Sequence, residues 1–169
     1  FRIGTKHEFY GHELGGIKLH AAIDTFVHNT YVHDCTLGMW FDWQAPGLRV
    51  HANIFARNDR DLFVEVSHGP YLVDNNIFAS AYAFDNASQG GAFAHNLVCG
   101  FFNHYPVLNR STPYHFPHST LPAGTVPVYG GDDRWKQNVF VGGRGEGEFY
   151  GSGEYVGAPD LPHLCSFPI

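Results

Sequence analysis

The sequence is short of cations. Ten Lys and Arg stand against sixteen Asp and Glu in 169 residues, a net charge of −6. A phosphate backbone would find little to hold it, so charge argues against a nucleic-acid partner. Cysteine is scarce as well: Cys35, Cys99 and Cys165 are odd in number, widely spaced and contain no CxxC pair. They indicate neither a zinc finger nor a disulfide scaffold and read as buried thiols. No apolar run approaches the ~20 residues of a membrane-spanning helix, and no leader-like segment is visible. No membrane partner is expected, and the compartment is left open, the balance tilting only slightly toward the cytoplasm. The sequence opens at Phe1 in mid-pattern, without an initiator Met, which points to a piece of a longer protein.

Aromatic residues, by contrast, reach 16%, with twenty Gly, ten Pro and twelve His. With 44% hydrophobic and only 15% charged residues, the composition is that of an ordered, turn-rich, strand-dominated chain, since disorder needs the opposite balance. Aromatics, histidines and carboxylates with few cations suit a neutral, ring-shaped ligand, for which a sugar is the natural candidate.

An Asn recurs in a fixed setting. Phe26-Val27-His28-Asn29-Thr30-Tyr31 is followed by Val50-His51-Ala52-Asn53-Ile54-Phe55 and Val73-Asp74-Asn75-Asn76-Ile77-Phe78. Phe93-Ala94-His95-Asn96-Leu97-Val98 and Trp135-Lys136-Gln137-Asn138-Val139-Phe140 complete the set, at steps of 24, 23, 20 and 42 residues. Short strands between turn residues at this period describe the coils of a parallel β-helix. The Asn suits a tight bend, where its side chain bonds backbone and tolerates a left-handed conformation. Stacked coils would also align these amides into a ladder. The fold expected is all-β, a single right-handed parallel β-helix over residues 1–169. A Pro- and His-rich stretch at about 101–129 reads as a long loop, of the kind that is functional when it interrupts a compact fold.

Counting back from the Asn residues brings out three acids. Asp42, Glu65 and Asp85 each lie eleven residues before a repeat Asn, which predicts one position on three successive coils. Strand alternation turns Phe41, Val64 and Phe84 inward and the acids outward, with Trp40 and Phe63 beside them as an aromatic shelf. Neighbouring rungs of a solenoid lie about 4.8 Å apart. Retaining glycosidases need carboxyl groups about 5–5.5 Å apart, and inverting ones roughly 6.5–9.5 Å, so the ladder fits retention. Glu65, between two anions, should have the raised pKa and act as acid/base. Asp42 is then the nucleophile. Either Lys18, eleven before Asn29, or His20, by matching Gly16-Ile17 to Gly38-Met39, should neighbour it. The same pattern also admits an outward polar ladder without catalytic duty, or aligned calcium-binding carboxylates of a polysaccharide lyase.

The run Gly16-Ile17-Lys18-Leu19-His20-Ala21-Ala22-Ile23-Asp24, with Met39-Trp40-Phe41-Asp42-Trp43 and Asp61-Leu62-Phe63-Val64-Glu65-Val66-Ser67-His68-Gly69-Pro70, resembles the β-xylosidases of glycoside hydrolase family 120. The likeness continues through Leu72–Asn76, Ser88–Ala92, Arg110–His115 and Gly130–Arg134, covering about residues 10–140. It implies a retaining exo-β-xylosidase that takes xylose from the non-reducing end of xylo-oligosaccharides without a cofactor or metal. The family nucleophile falls on Asp42, its acid/base on Glu65, and a His-Glu pair contacting the terminal sugar on His12 and Glu13. Family members are much longer, with further coils and a β-sandwich region contributing to the pocket.

Four other positions are candidates for sugar contact. His115 and His118 would touch hydroxyls if the Pro- and His-rich loop folds over the acid face, and His68 would cap the same groove. Asp85 would bind a hydroxyl, tune Glu65 or simply ladder with Asn86. The HE dipeptide is not part of an HExxH, so a zinc protease has no support. The sequon at Asn86 is discounted because a glycan there would crowd the site. Oligomeric state is left open by the sequence.

Overall fold

The computed structural model describes residues 14–141. Fifteen strands follow one another without an intervening helix: β1 (Ile17–His20), β2 (Phe26–His28), β3 (Tyr31–His33), β4 (Leu37–Asp42), β5 (Arg49–His51), β6 (Ile54–Ala56), β7 (Arg60–Asp74), β8 (Ile77–Phe78), β9 (Tyr82–Ala94), β10 (Leu97–Val98), β11 (Phe101–His104), β12 (Val107–His115), β13 (Pro122–Val128), β14 (Arg134–Lys136) and β15 (Val139–Phe140). All but β12 and β13 pair in parallel with the strand one coil away. The order β15-β10-β8-β6-β3 forms one wall, and β1, β4, β7, β9 and β11 stack along another. The described residues form a parallel β-helix of about four turns.

Alternation puts one side chain in two inside. Met39, Phe41, Leu62, Val64 and Phe84 meet Val50, Val73, Phe93, Phe55 and Phe78 in one continuous core, all essentially buried. Coil-to-coil stacking continues in the side chains, as in Phe55 on Phe78 with ring centres 4.9 Å apart. Cys35 is buried, Cys99 half-buried, and both are free thiols; Cys165 lies outside the described residues.

The Asn ladder is present. Asn53 sends both its backbone N–H and its side-chain amide to the Oδ1 of Asn76, at 2.9 and 3.0 Å. Asn76 does the same to Asn96, and Asn96 to Asn138. Each amide also donates to a strand carbonyl, as Asn76 to Val50 at 2.9 Å. Two details differ from expectation. The left-handed residue of the bend is the one before the ladder Asn, namely Ala52, Asn75, His95 and Gln137, with φ between 51 and 57°. In the first coil that residue is Asn29 itself, and Thr30 takes the ladder place, its N–H reaching Asn53 Oδ1 at 3.0 Å.

The stretch expected to be a long loop is largely ordered strand. β11 continues the parallel wall, and β12 and β13 form an antiparallel hairpin whose contacts run to β7 and β9.

Candidate active site

Two outward rows run side by side along the β1-β4-β7-β9 wall. Lys18, Trp40, Phe63 and Asp85 occupy one; His20, Asp42, Glu65 and Ala87 occupy the other. Asp42 and Glu65 are therefore direct partners on adjacent rungs, at the ladder spacing of about 4.8 Å. Of the two alignments open for the first coil, the one pairing His20 with Asp42 is correct.

Asp85 is not the third rung. It faces Phe63, two residues short of the acid row, and Ala87 faces Glu65. The reason is a surplus of residues in β7. Glu65 pairs Ala87, His68 pairs Gln89 and Tyr71 pairs Gly91, with a register shift in each interval, so β7 bulges twice where β9 does not. Equal counting to the next Asn therefore misplaces the acid. Asp85 is buried, with Arg60 at 2.7 Å and Asn103 donating at 3.1 Å, and the proposed Asp42-Glu65-Asp85 array breaks after two members.

The surroundings of the two acids differ. Lys18 Nζ and His20 Nδ1 both reach Asp42 Oδ2, at 3.0 and 3.2 Å. Glu65 accepts the Trp40 indole N–H at 3.0 Å, and the Arg110 guanidinium stands 3.7 Å from its other oxygen. Glu65 is held above the ordinary carboxylate range, first by burial and then by the facing Asp42 anion, while Trp40, Arg110 and Lys18 oppose the rise. The direction agrees with the expectation. The cause differs, since burial leads and an anion stands on one side only.

The aromatic shelf is not open to a ligand. Lys18 Nζ lies 3.5 Å from the Trp40 ring centre, and Phe63 stacks on Trp40 from the next coil at 5.6 Å. Coming from the coils before and after, they occupy both ring faces and leave Trp40 to act through its N–H. Phe63 is buried under Tyr105 and Val107.

The exposed ring beside the acids is Trp43, which strand alternation would have sent inward with Phe41. Alternation fails because the chain bends left-handed immediately after the row: Ala21, Trp43 and Val66 have φ of 51, 47 and 41°. The bends stack, Ala21 N–H donating to Trp43 O at 2.8 Å and Trp43 N–H to Glu65 O at 2.9 Å. For a bulky or β-branched residue such a φ is an outlier, and both acids precede one. Arg110, the other contact missed in sequence, lies 45 residues beyond Glu65 on β12, and no local pattern relates the two.

The hairpin brings some of the expected histidines to this wall. His68 is buried beneath it, its Nε2 facing the Thr112 and Val126 carbonyls at 3.1 and 3.2 Å. Burial lowers its pKa, against both of those bonds. His115 Nε2 meets Gln44 Oε1 at 2.7 Å, two residues beyond Asp42. Both imidazoles border a cavity of about 480 Å³ floored by Gly69, Pro70 and Gly90 and edged by Gln89 and Tyr114. His118 is largely exposed and pairs with Asp24 at 3.0 Å, away from the acid pair's own contacts. Asn86 is wholly buried and bonded to Asp133 and Tyr71, with no room for a glycan. His12 and Glu13 lie outside the described residues. Among the described residues no three His, Cys, Asp or Glu gather so as to hold a metal ion.

No family model matches the chain, and no curated protein does. Among solved structures, the complex of XylC with xylose is 61% identical with a TM-score of 0.77, over 80% of this chain and 22% of that one. The chain thus spans about a fifth of the length of that relative. At that identity and on the same solenoid fold, the chain resembles the glycoside hydrolase family 120 β-xylosidase XylC over the part of that protein which it spans.

Proposed function

We propose that this chain supplies the two carboxylates of a retaining exo-β-xylosidase acting on β-1,4-linked xylo-oligosaccharides. The observation that carries the reading is the pairing of Asp42 with Glu65 on adjacent rungs, because that spacing suits direct attack and leaves no room for an intervening water. Asp42, with Lys18 and His20 on Oδ2, is the nucleophile. Glu65, its pKa raised by burial, is the acid. The similarity to a xylose-bound structure supports xylose as the sugar.

In the first step an Asp42 oxygen bonds to the anomeric carbon as the glycosidic bond breaks, and the Glu65 proton passes to the leaving oxygen. In the second, Glu65 takes a proton from water, whose oxygen displaces Asp42 and frees xylose. His12 and Glu13 would hold the terminal sugar, as the family resemblance implies, with His68 and His115 on the hairpin side.

The test uses the complete protein that contains this chain. With Glu65→Ala, an aryl β-xyloside of good leaving group should accumulate glycosyl-enzyme, and azide should restore turnover. A Glu65→Ala protein that cleaves xylobiose normally would end the assignment.

A further inference from the structure

Of the three tryptophans, two are consumed by the fold. Trp135 stacks on Phe93 with ring centres 4.1 Å apart and meets Phe102 edge-on. Trp40 lies between Lys18 and Phe63. Trp43 is 37% exposed and is held by a strained backbone, φ 47°, at the residue after Asp42. The fold does not need an indole there, since Ala21 occupies the equivalent bend one coil earlier. Strained residues that the surroundings over-determine cluster at ligand sites.

The ring's neighbours tie it to both carboxylates. His20, which contacts Asp42, meets it edge-on at 5.5 Å. Arg110, which stands at Glu65, lies 5.8 Å from its centre. An exposed indole face is an apolar plane of pyranose size, and a guanidinium within about 6 Å adds donors for hydroxyls without displacing the ring. Because Arg110 belongs to the Glu65 side, where the leaving oxygen is protonated, this plane serves the sugar that departs.

We propose that Trp43, with Arg110 over one side of its ring, is the platform whose other side takes the leaving-group pyranose. The proposal rests on the reading of Asp42 and Glu65 given above and adds the residue that selects a saccharide over a smaller leaving group.

The experiment compares kcat/KM for xylobiose with that for β-xylosyl fluoride, whose leaving atom carries no ring, in the complete protein. Taking the ratio of the two cancels any loss of folded enzyme. Trp43→Ala should lower the ratio by about 10–100-fold, the range of a lost aromatic anchor. Trp43→Tyr, which keeps a ring, should recover most of it. A ratio unchanged in Trp43→Ala overturns the platform while leaving the catalytic pair intact. A wild-type protein inert on both substrates takes down the catalytic reading itself, and the platform with it.

Discussion

Trp40 donates its indole N–H to Glu65 from a ring fixed on both faces, by the Lys18 ammonium on one coil and the Phe63 ring on the other. A donor that cannot swing away stabilises the Glu65 anion and so holds its pKa down against the burial that raises it.

The pH dependence of turnover follows from that bond. As the proposed acid, Glu65 must be protonated to act, so activity should fall as pH rises through its pKa. Trp40→Phe removes a donor to the charged form, which raises that pKa further and moves the alkaline limb of kcat/KM to higher pH. Arg110→Gln, removing a cation, should move it the same way. A pH–rate profile of each variant checks the sign, and a limb shifted downward would contradict the arrangement.

Asp85 should prove structural. It is buried against Arg60 and Asn103, and Arg60 also lies over the Phe63 and Tyr82 rings at 5.2 and 5.0 Å. Asp85→Ala leaves that guanidinium without its anion and should cost about 2–4 kcal/mol, toward the lower end because Arg60 is partly exposed. Denaturant unfolding measures the loss. A KM for xylobiose that rises tenfold with stability unchanged would restore Asp85 to the substrate.

Within the ladder, Asn76→Ala removes the acceptor for two Asn53 donors and the amide bonds to Asn96 and Val50. At about 1 kcal/mol per bond and more for donors left buried, the expected cost is about 3–5 kcal/mol. Pairing Asn76→Ala with Asn96→Ala should cost less than the sum, because the two share a bond. Additive losses in a double-mutant cycle would show that the amides act separately.

Asp133 gives a stability signature. It is buried, accepts from Gly91 N–H and Asn86, and burial pushes its pKa up to about 8. Its neighbour His104, 3.8 Å away, is pushed down to about 4 by burial. An acid whose folded pKa exceeds its unfolded value favours the native state at low pH and loses that advantage between about pH 4 and 8. His104 acts oppositely, its contribution fading as pH falls from about 6.5 to 4. Relative to Asp133→Asn, the wild type should therefore lose stability with rising pH, by at most about 1.4 kcal/mol per pH unit. Equal slopes in the two proteins would mean that Asp133 is ionised in both states.

The solenoid was legible because its period is written in Asn53, Asn76, Asn96 and Asn138, residues that the ladder cannot replace without orphaning buried amides. The facing of Asp42 and Glu65 was legible for the same reason, as their two coils have equal length between acid and Asn. Asp85 was misplaced because a bulge leaves no mark on a residue count. Trp43 was missed because alternation holds only until the backbone turns left-handed, and a Trp is a poor advertisement for such a turn. Arg110 reaches Glu65 through a hairpin whose docking no local pattern encodes.

The two bulges of β7 give the wall a place. A solenoid repeats itself, and an outward carboxylate on every rung would make each gap between coils equivalent to the next, with no preferred point for a substrate to settle. By sliding Asp85 off the row and setting Ala87 there, the extra length ends the run at one facing couple. Coil number thus becomes an address, and among the described residues a fold built from interchangeable turns acquires one spot where two outward carboxylates face each other.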